Sequence, residues 1–156
     1  MRSFLEMDAK KYPKMLFGSY VIFLLWISFI GISIFYPIRL YGNYGDVAHN
    51  LIPFSSITAY FINFNQYNFN TWFYNTFGNI LVFIPLGIFL PLVFDAIKRI
   101  TQVIIFIFMC SLTIEILQYV TLLGVFDVDD IILNLIGGIS GFLITIPIIK
   151  MKKKSL

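Results

Sequence analysis

Four apolar runs, each long enough to cross a hydrocarbon core of about 30 Å, constrain this chain more than anything else in it. They cover residues 15–36, 77–94, 100–123 and 131–149. The second is short and interrupted by Pro85, Gly87 and Pro91, and the fourth carries Pro147 near its end. Inside a bilayer the backbone must satisfy its own polar groups, which helices do within one segment. The expected fold is therefore all-α: an integral membrane four-helix bundle. Composition agrees. Only 12% of the 156 residues are charged, against about 25% in a soluble domain. No remaining segment is large enough to bury a core of its own. The expected organisation is a basic N-terminal segment (1–14), one membrane domain (15–149) with a long loop over 37–76, and a basic tail (150–156).

The first run exceeds the ~7–15 apolar residues of a signal peptide and has no small-x-small site after it, so it reads as a retained anchor. The single cysteine, Cys110, lies inside the third run. It excludes an intramolecular disulfide and reads as a small buried hydrophobe.

Basic residues orient the bundle. Arg2, Lys10, Lys11 and Lys14 precede the first run, Lys98 and Arg99 join the second and third, and Lys150, Lys152, Lys153 and Lys154 follow the fourth. Of the eleven basic residues, only Arg39 falls on the other side. Short basic loops stay cytoplasmic, so the N and C termini are expected to be cytoplasmic. The 37–76 and 124–130 loops then face outward. Between 58 and 74 the first loop interleaves Tyr60, Phe61, Phe64, Tyr67, Phe69, Trp72, Phe73 and Tyr74 with Asn63, Asn65, Asn68 and Asn70. That mixture fits an aromatic belt at the headgroup boundary, with a lid over a site as the alternative.

With orientation set, helical rise places the polar residues at one level. Glu115 falls about 12 Å below the outer end of the third run, with Gln118 one turn nearer the surface. Asn134 and Asn79 fall about 3–5 Å inside the fourth and second runs. Asp127, Asp129 and Asp130 are read as loop residues. Ser111, Glu115, Gln118 and Leu122 share one helix face, as do Asp130 with Asn134 and Asn75 with Asn79. Asn79, Glu115, Gln118, Asp127, Asp130 and Asn134 thus form the expected binding pocket, because intramembrane ionisable groups point to function by default. The competing reading is internal glue, with Glu115 protonated or bonded to Asn79, Gln118 or Asn134.

The carboxylates of the acidic loop cannot separate far. At about 6 Å and an effective dielectric near 20, each pair repels by about 3 kcal/mol. Either a proton is held or a cation is attracted. EF-hand spacing is missing and no histidine is near in sequence, so a divalent cation on oxygen ligands is only one option and no resident cofactor or metal site is assigned. One of Asp129 and Asp130 is also expected to cap the fourth helix. His49, the single histidine, could act as an acid or base, or simply be solvated. Gly137 and Gly141, beside Gly138 and Ser140, form a small-xxx-small face for a neighbouring helix or for a homodimer. No nucleic-acid motif is present. Four spans with no ionisable residue in the inner halves argue against a transporter or channel.

Several elements in a fixed order resemble the VanZ-like family of bacterial membrane proteins. They are Asn50-Leu51-Ile52-Pro53-Phe54, Gly78-Asn79 followed by Phe83-Ile84-Pro85-Leu86-Gly87, Glu115-x-x-Gln118, and Phe126-Asp127-Val128-Asp129-Asp130 leading to Asn134, Gly137, Gly138 and Gly141. Together they span residues 50–142, about 60% of the chain. A basic residue often found ahead of the acidic loop in that family is replaced here by Leu123-Gly124-Val125. The resemblance implies a multi-pass protein of the cell envelope; the family's named member is associated with low-level teicoplanin resistance. Implied partners are membrane lipids, a lipid-linked cell-wall precursor or a lipoglycopeptide. The alternative is a membrane-embedded enzyme acting on a lipid headgroup at the outer leaflet, with Glu115, Asp127 and Asp130 as its acid, base or metal-ligand groups.

Overall fold

A computed structural model describes residues 2–31, 49–67 and 69–154. Helix α1 (Arg2–Trp26) runs into a π turn at Ile27–Gly31. A short helix α2 (Ser55–Ile62) and a 3-10 turn (Phe64–Gln66) lead to α3 (Phe69–Phe73), which passes through a second π turn (Tyr74–Gly78) into α4 (Asn79–Val93). Helices α5 (Ile100–Val120) and α6 (Val128–Lys154) complete the order. No strand occurs among the described residues; one isolated bridge pairs Asn50 with Asp127. The fold is all-α, as the hydropathy requires. Lys11–Gly31, Tyr74–Val93, Ile100–Val120 and Val128–Ile149 are long and apolar enough to cross a membrane.

Several span bounds differ from the hydropathy reading by three or four residues, and two of them bear on the acidic run. The third helix stops at Val120 rather than 123, because Leu122 turns to the left-handed region at φ 58°. Leu123 N–H and Leu122 N–H then bond the carbonyls of Gln118 and Tyr119 at 3.0 and 3.2 Å, the Schellman pattern that closes a helix. Leu122 therefore leaves the face it was expected to share with Glu115. The fourth helix starts at Val128 rather than 131, which moves Asp129 and Asp130 out of the loop and into its first turn. Residues 32–36 of the first run, Arg39 and Asn68 lie outside the described residues.

A left-handed conformation costs a non-glycine residue about 1–2 kcal/mol, offset for glycine by about 0.5–1 kcal/mol of backbone entropy. Leu122→Gly is expected to raise stability by about 0.5–1 kcal/mol. Thermal unfolding in detergent checks it; a lower midpoint than wild type would show that Leu122 contributes contacts worth more than the strain.

The core is built from Tyr20 and Leu24 of α1, Phe83, Leu86 and Leu90 of α4, Val103, Ile107 and Ile114 of α5, and Phe142 of α6. Helix α6 packs along both α4 and α5, and α1 packs on α4. The α4–α6 seam is nearly backbone on backbone. A Cβ at Gly137 or Gly141 would stand 2.1 or 2.0 Å from the carbonyl oxygens of Ile80 and Ile84, and one at Gly87 would stand 1.9 Å from that of Gly138. The Gly137/Gly141 face, weighed above as a homodimer seam, is thus occupied within the chain by α4. Lipid tails are as apolar as leucine, so close packing and polar contacts must hold such helices together. Tyr20 contributes one of those contacts, donating its hydroxyl to the Val82 carbonyl at 2.8 Å in the turn before Pro85.

Candidate functional site

Where α1, α4, α5 and α6 end at the level of α2, they leave a cavity of about 170 Å³. Asn79, Glu115, Gln118, Asp127, Asp130 and Asn134 all line it. Residues from three spans and the α5–α6 connection therefore meet at one place. Ser28, Tyr60, Tyr74 and Asn75 complete its polar lining; the sequence brings Tyr60 and Tyr74 to the site only through the lid alternative for 58–74 and gives no sign of Ser28. Ser28 and the Tyr74-Asn75 pair sit in the two π turns. Such turns release backbone groups from the helical ladder and recur at functional sites. Period-3.6 reasoning treats them as ordinary helix, which is why it passes over them; the Asn75/Asn79 spacing was the one signal that pointed there.

Glu115, Gln118 and Asn134 are each held by a partner elsewhere in the chain. Glu115 is 2% exposed, and its Oε2 accepts the Asp127 N–H at 3.0 Å. Gln118 donates from Nε2 to the Ser28 carbonyl at 2.8 Å, tying α5 to the π turn of α1. Asn134 donates from Nδ2 to Ser111 Oγ at 2.8 Å. Its Oδ1 is buried and has no hydrogen-bond partner among the described residues, an unusual state for a buried polar atom. In these bonds Glu115, Gln118 and Asn134 reach the Asp127 backbone, the Ser28 carbonyl and the Ser111 hydroxyl.

The acidic run is organised by hydrogen bonds. Asp127 Oδ1 accepts the Asp129 N–H and Asn50 Nδ2, both at 2.8 Å, and Oδ2 accepts the Ser56 hydroxyl at 2.7 Å. Asp127 thereby caps α6, the role expected of Asp129 or Asp130; the helix starts earlier than hydropathy suggests, and the cap moves with it. Asp129 is fully buried and turns away from the cavity lining. Its Oδ1 accepts the Phe54 N–H at 2.5 Å and its Oδ2 the Ile57 N–H at 3.0 Å, so it caps α2 from 72 and 75 residues away. Asn50 completes the junction: its N–H bonds the Phe126 carbonyl and its own carbonyl accepts the Val128 N–H, both at 3.0 Å. These donors, drawn from the run itself and from residues 50–57, hold the acidic run in one arrangement.

His49 is not part of the cavity lining. Its ring meets Tyr119 edge-on, with centroids 4.8 Å apart, and its Nδ1 is buried without a partner among the described residues. Among the described residues, no three of His, Cys, Asp and Glu are grouped so as to hold a metal ion. The arrangement can present amide, hydroxyl and carboxylate groups to a polar head group from within a membrane-spanning bundle.

The family model described as VanZ/LLP1 matches residues 17–150. Protein VanZ of Enterococcus faecium is 29% identical over 126 residues, which is 81% of this chain and 68% of that protein. No solved structure matches the chain.

Proposed function

The chain belongs to the VanZ/LLP1 family, and on that premise we propose that it acts in the bacterial cell envelope by binding an amphiphile in its polar cavity. The amphiphile is an envelope lipid, such as a lipid-linked cell-wall precursor, or a lipoglycopeptide of the teicoplanin type. Binding there shields the target or sequesters the antibiotic, and contributes to glycopeptide resistance. The carrying observation is the convergence of Asn79, Glu115, Gln118, Asp127, Asp130 and Asn134 on one cavity in an otherwise apolar bundle. Polar groups are costly to hold inside a membrane and are kept where they have a task. The distribution of Lys and Arg supports an outward opening for this end of the bundle, with both termini in the cytoplasm and the protein in the cell membrane.

Two measurements test the reading. Lipids retained by the purified protein are compared between wild type and Glu115→Gln. One lipid class is expected to be enriched with wild type and lost with the variant. In cells, Glu115→Ala at wild-type membrane levels is expected to lower teicoplanin resistance to that of a deletion strain. Unchanged susceptibility together with an unchanged lipid profile would remove the basis for the proposal. Turnover of an envelope lipid by wild type, absent in Glu115→Gln, would instead assign catalysis to Glu115, Asp127 and Asp130.

A further inference from the structure

Helix α2 has two unlike faces. At about 100° per residue, Phe54, Thr58, Phe61 and Ile62 fall on one side, and Ser56 and Tyr60 on the opposite side. The second side belongs to the site: Ser56 donates to Asp127 Oδ2 at 2.7 Å, and Tyr60 lines the cavity. Among the described residues, the first side meets only one ring, that of Trp72 against Phe61, and is otherwise uncovered. Phe54, Phe61 and Ile62 are 59%, 57% and 76% exposed, a concentration of bare apolar surface that calls for a covering phase.

Both ends of α2 are moored at the ends of membrane spans. At its start, the Phe54 and Ile57 N–H groups bond Asp129, the second residue of the Val128–Ile149 span. At its end, Phe61 meets Trp72 edge-on with centroids 6.2 Å apart, and Trp72 meets Phe77 at 5.4 Å. Phe77 lies in the first turns of the Tyr74–Val93 span. The apolar side of α2 is therefore continuous, through edge-to-face aromatic rings, with the flank of a helix that crosses the membrane.

We infer that α2 is a lipid-immersed roof: its outer face docks into the acyl region of the leaflet at that end of the bundle while its inner face closes the cavity. An amphipathic helix lying in the interface buries its apolar face about 5–10 Å into the headgroup and acyl boundary. Here the opposite face rests on protein, with the Asp129 carboxylate acting as the anchor between roof and bundle. Entry to the cavity then runs along α2 from the lipid phase. Lipid contact at Phe54, Thr58 and Ile62 does not depend on what the cavity binds.

Nitroxide labels test the placement in the full chain in phosphatidylcholine and phosphatidylglycerol liposomes, with Cys110→Ala removing the single native thiol. Labels are attached at Phe54→Cys, Thr58→Cys and Ile62→Cys. Leu143→Cys, 52% exposed within the Val128–Ile149 span, is the lipid-facing reference. Asp95→Cys, in the connection between α4 and α5 with a 76% exposed side chain, is the aqueous reference. Collision with dissolved oxygen relative to a water-soluble nickel chelate is expected to match Leu143→Cys at all three sites and to rise severalfold above Asp95→Cys. A ratio equal to that of Asp95→Cys overturns the inference. Exclusion of both reagents also overturns it, because it shows the face covered by protein, a second copy included. If Phe54→Cys fails to fold, Thr58→Cys and Ile62→Cys decide. No ligand is present in the measurement, so a failed amphiphile-binding test leaves its result standing, and the reverse also holds.

Discussion

Gly141→Ala is expected to cost the bundle about 3 kcal/mol, at the upper end of what overpacking exacts. The added methyl would stand 2.0 Å from the Ile84 carbonyl oxygen and 2.9 Å from its carbon. Both are backbone atoms of α4, so no side chain can swing aside. The helices must separate instead, and van der Waals contact fades steeply over the first ångström of a gap. In a bilayer that loss is not offset by a hydrophobic drive between helices. Gly137→Ala, with its methyl 2.1 Å from the Ile80 carbonyl oxygen, should behave alike. Because the two share one seam, their costs should not simply add. Gly18→Ala is the control: nothing lies within 4 Å of the new atom, and helix propensity favours alanine by about 1 kcal/mol. Unfolding of detergent-solubilised protein, followed by loss of the monodisperse peak on heating, reads out all three. A Gly141→Ala midpoint equal to wild type would mean that the α4–α6 seam is looser than described.

Asp129→Ala is the second large effect, expected at about 2–4 kcal/mol. It leaves the partly buried Phe54 and Ile57 N–H groups without their acceptor, and an orphaned donor costs about 1–3 kcal/mol when buried. The α2 helix is only eight residues long, too short to hold itself together in isolation. Its anchor should therefore control its order as well as overall stability. Hydrogen exchange is expected to quicken at the amides of residues 54–62 far more than in α4 or α5. Asp129→Asn keeps one acceptor and loses the charge, so its effect should fall between wild type and Asp129→Ala. Equal exchange across α2 in wild type and Asp129→Ala would rule out the anchoring role.

Asp129 also shows where sequence reasoning ran short. Three acidic residues within four positions look like one cluster; spacing puts Asp127 and Asp130 in the pocket and leaves the cap of their own helix to Asp129 or Asp130. In the folded chain they divide: Asp130 and Asp127 line the cavity, Asp127 also caps its own helix, and Asp129 caps another. Nothing local distinguishes them, because the distinguishing partners, Asn50, Phe54, Ser56 and Ile57, lie more than seventy residues away. The π turns escaped for a related reason. Ser28 is unremarkable within an apolar helix, and Asn75 is marked only by its spacing to Asn79, yet both line the same cavity as Glu115.

The spans, by contrast, were legible from the residues alone. Transfer into hydrocarbon is close to a sum over consecutive residues, so a run of sufficient length and oiliness declares itself wherever it later packs. Depth followed by the same logic, since a constant rise per residue converts position into height. That is why Asn79, Glu115, Gln118, Asp127, Asp130 and Asn134 could be placed at one level before any contact was known. Which helix the Gly137/Gly141 face receives, which end of the acidic run caps which helix, and which face of α2 meets the site are set by pairing between distant segments. Those choices depend on shape and hydrogen-bond complementarity across the bundle, which no local pattern of oily and polar residues encodes.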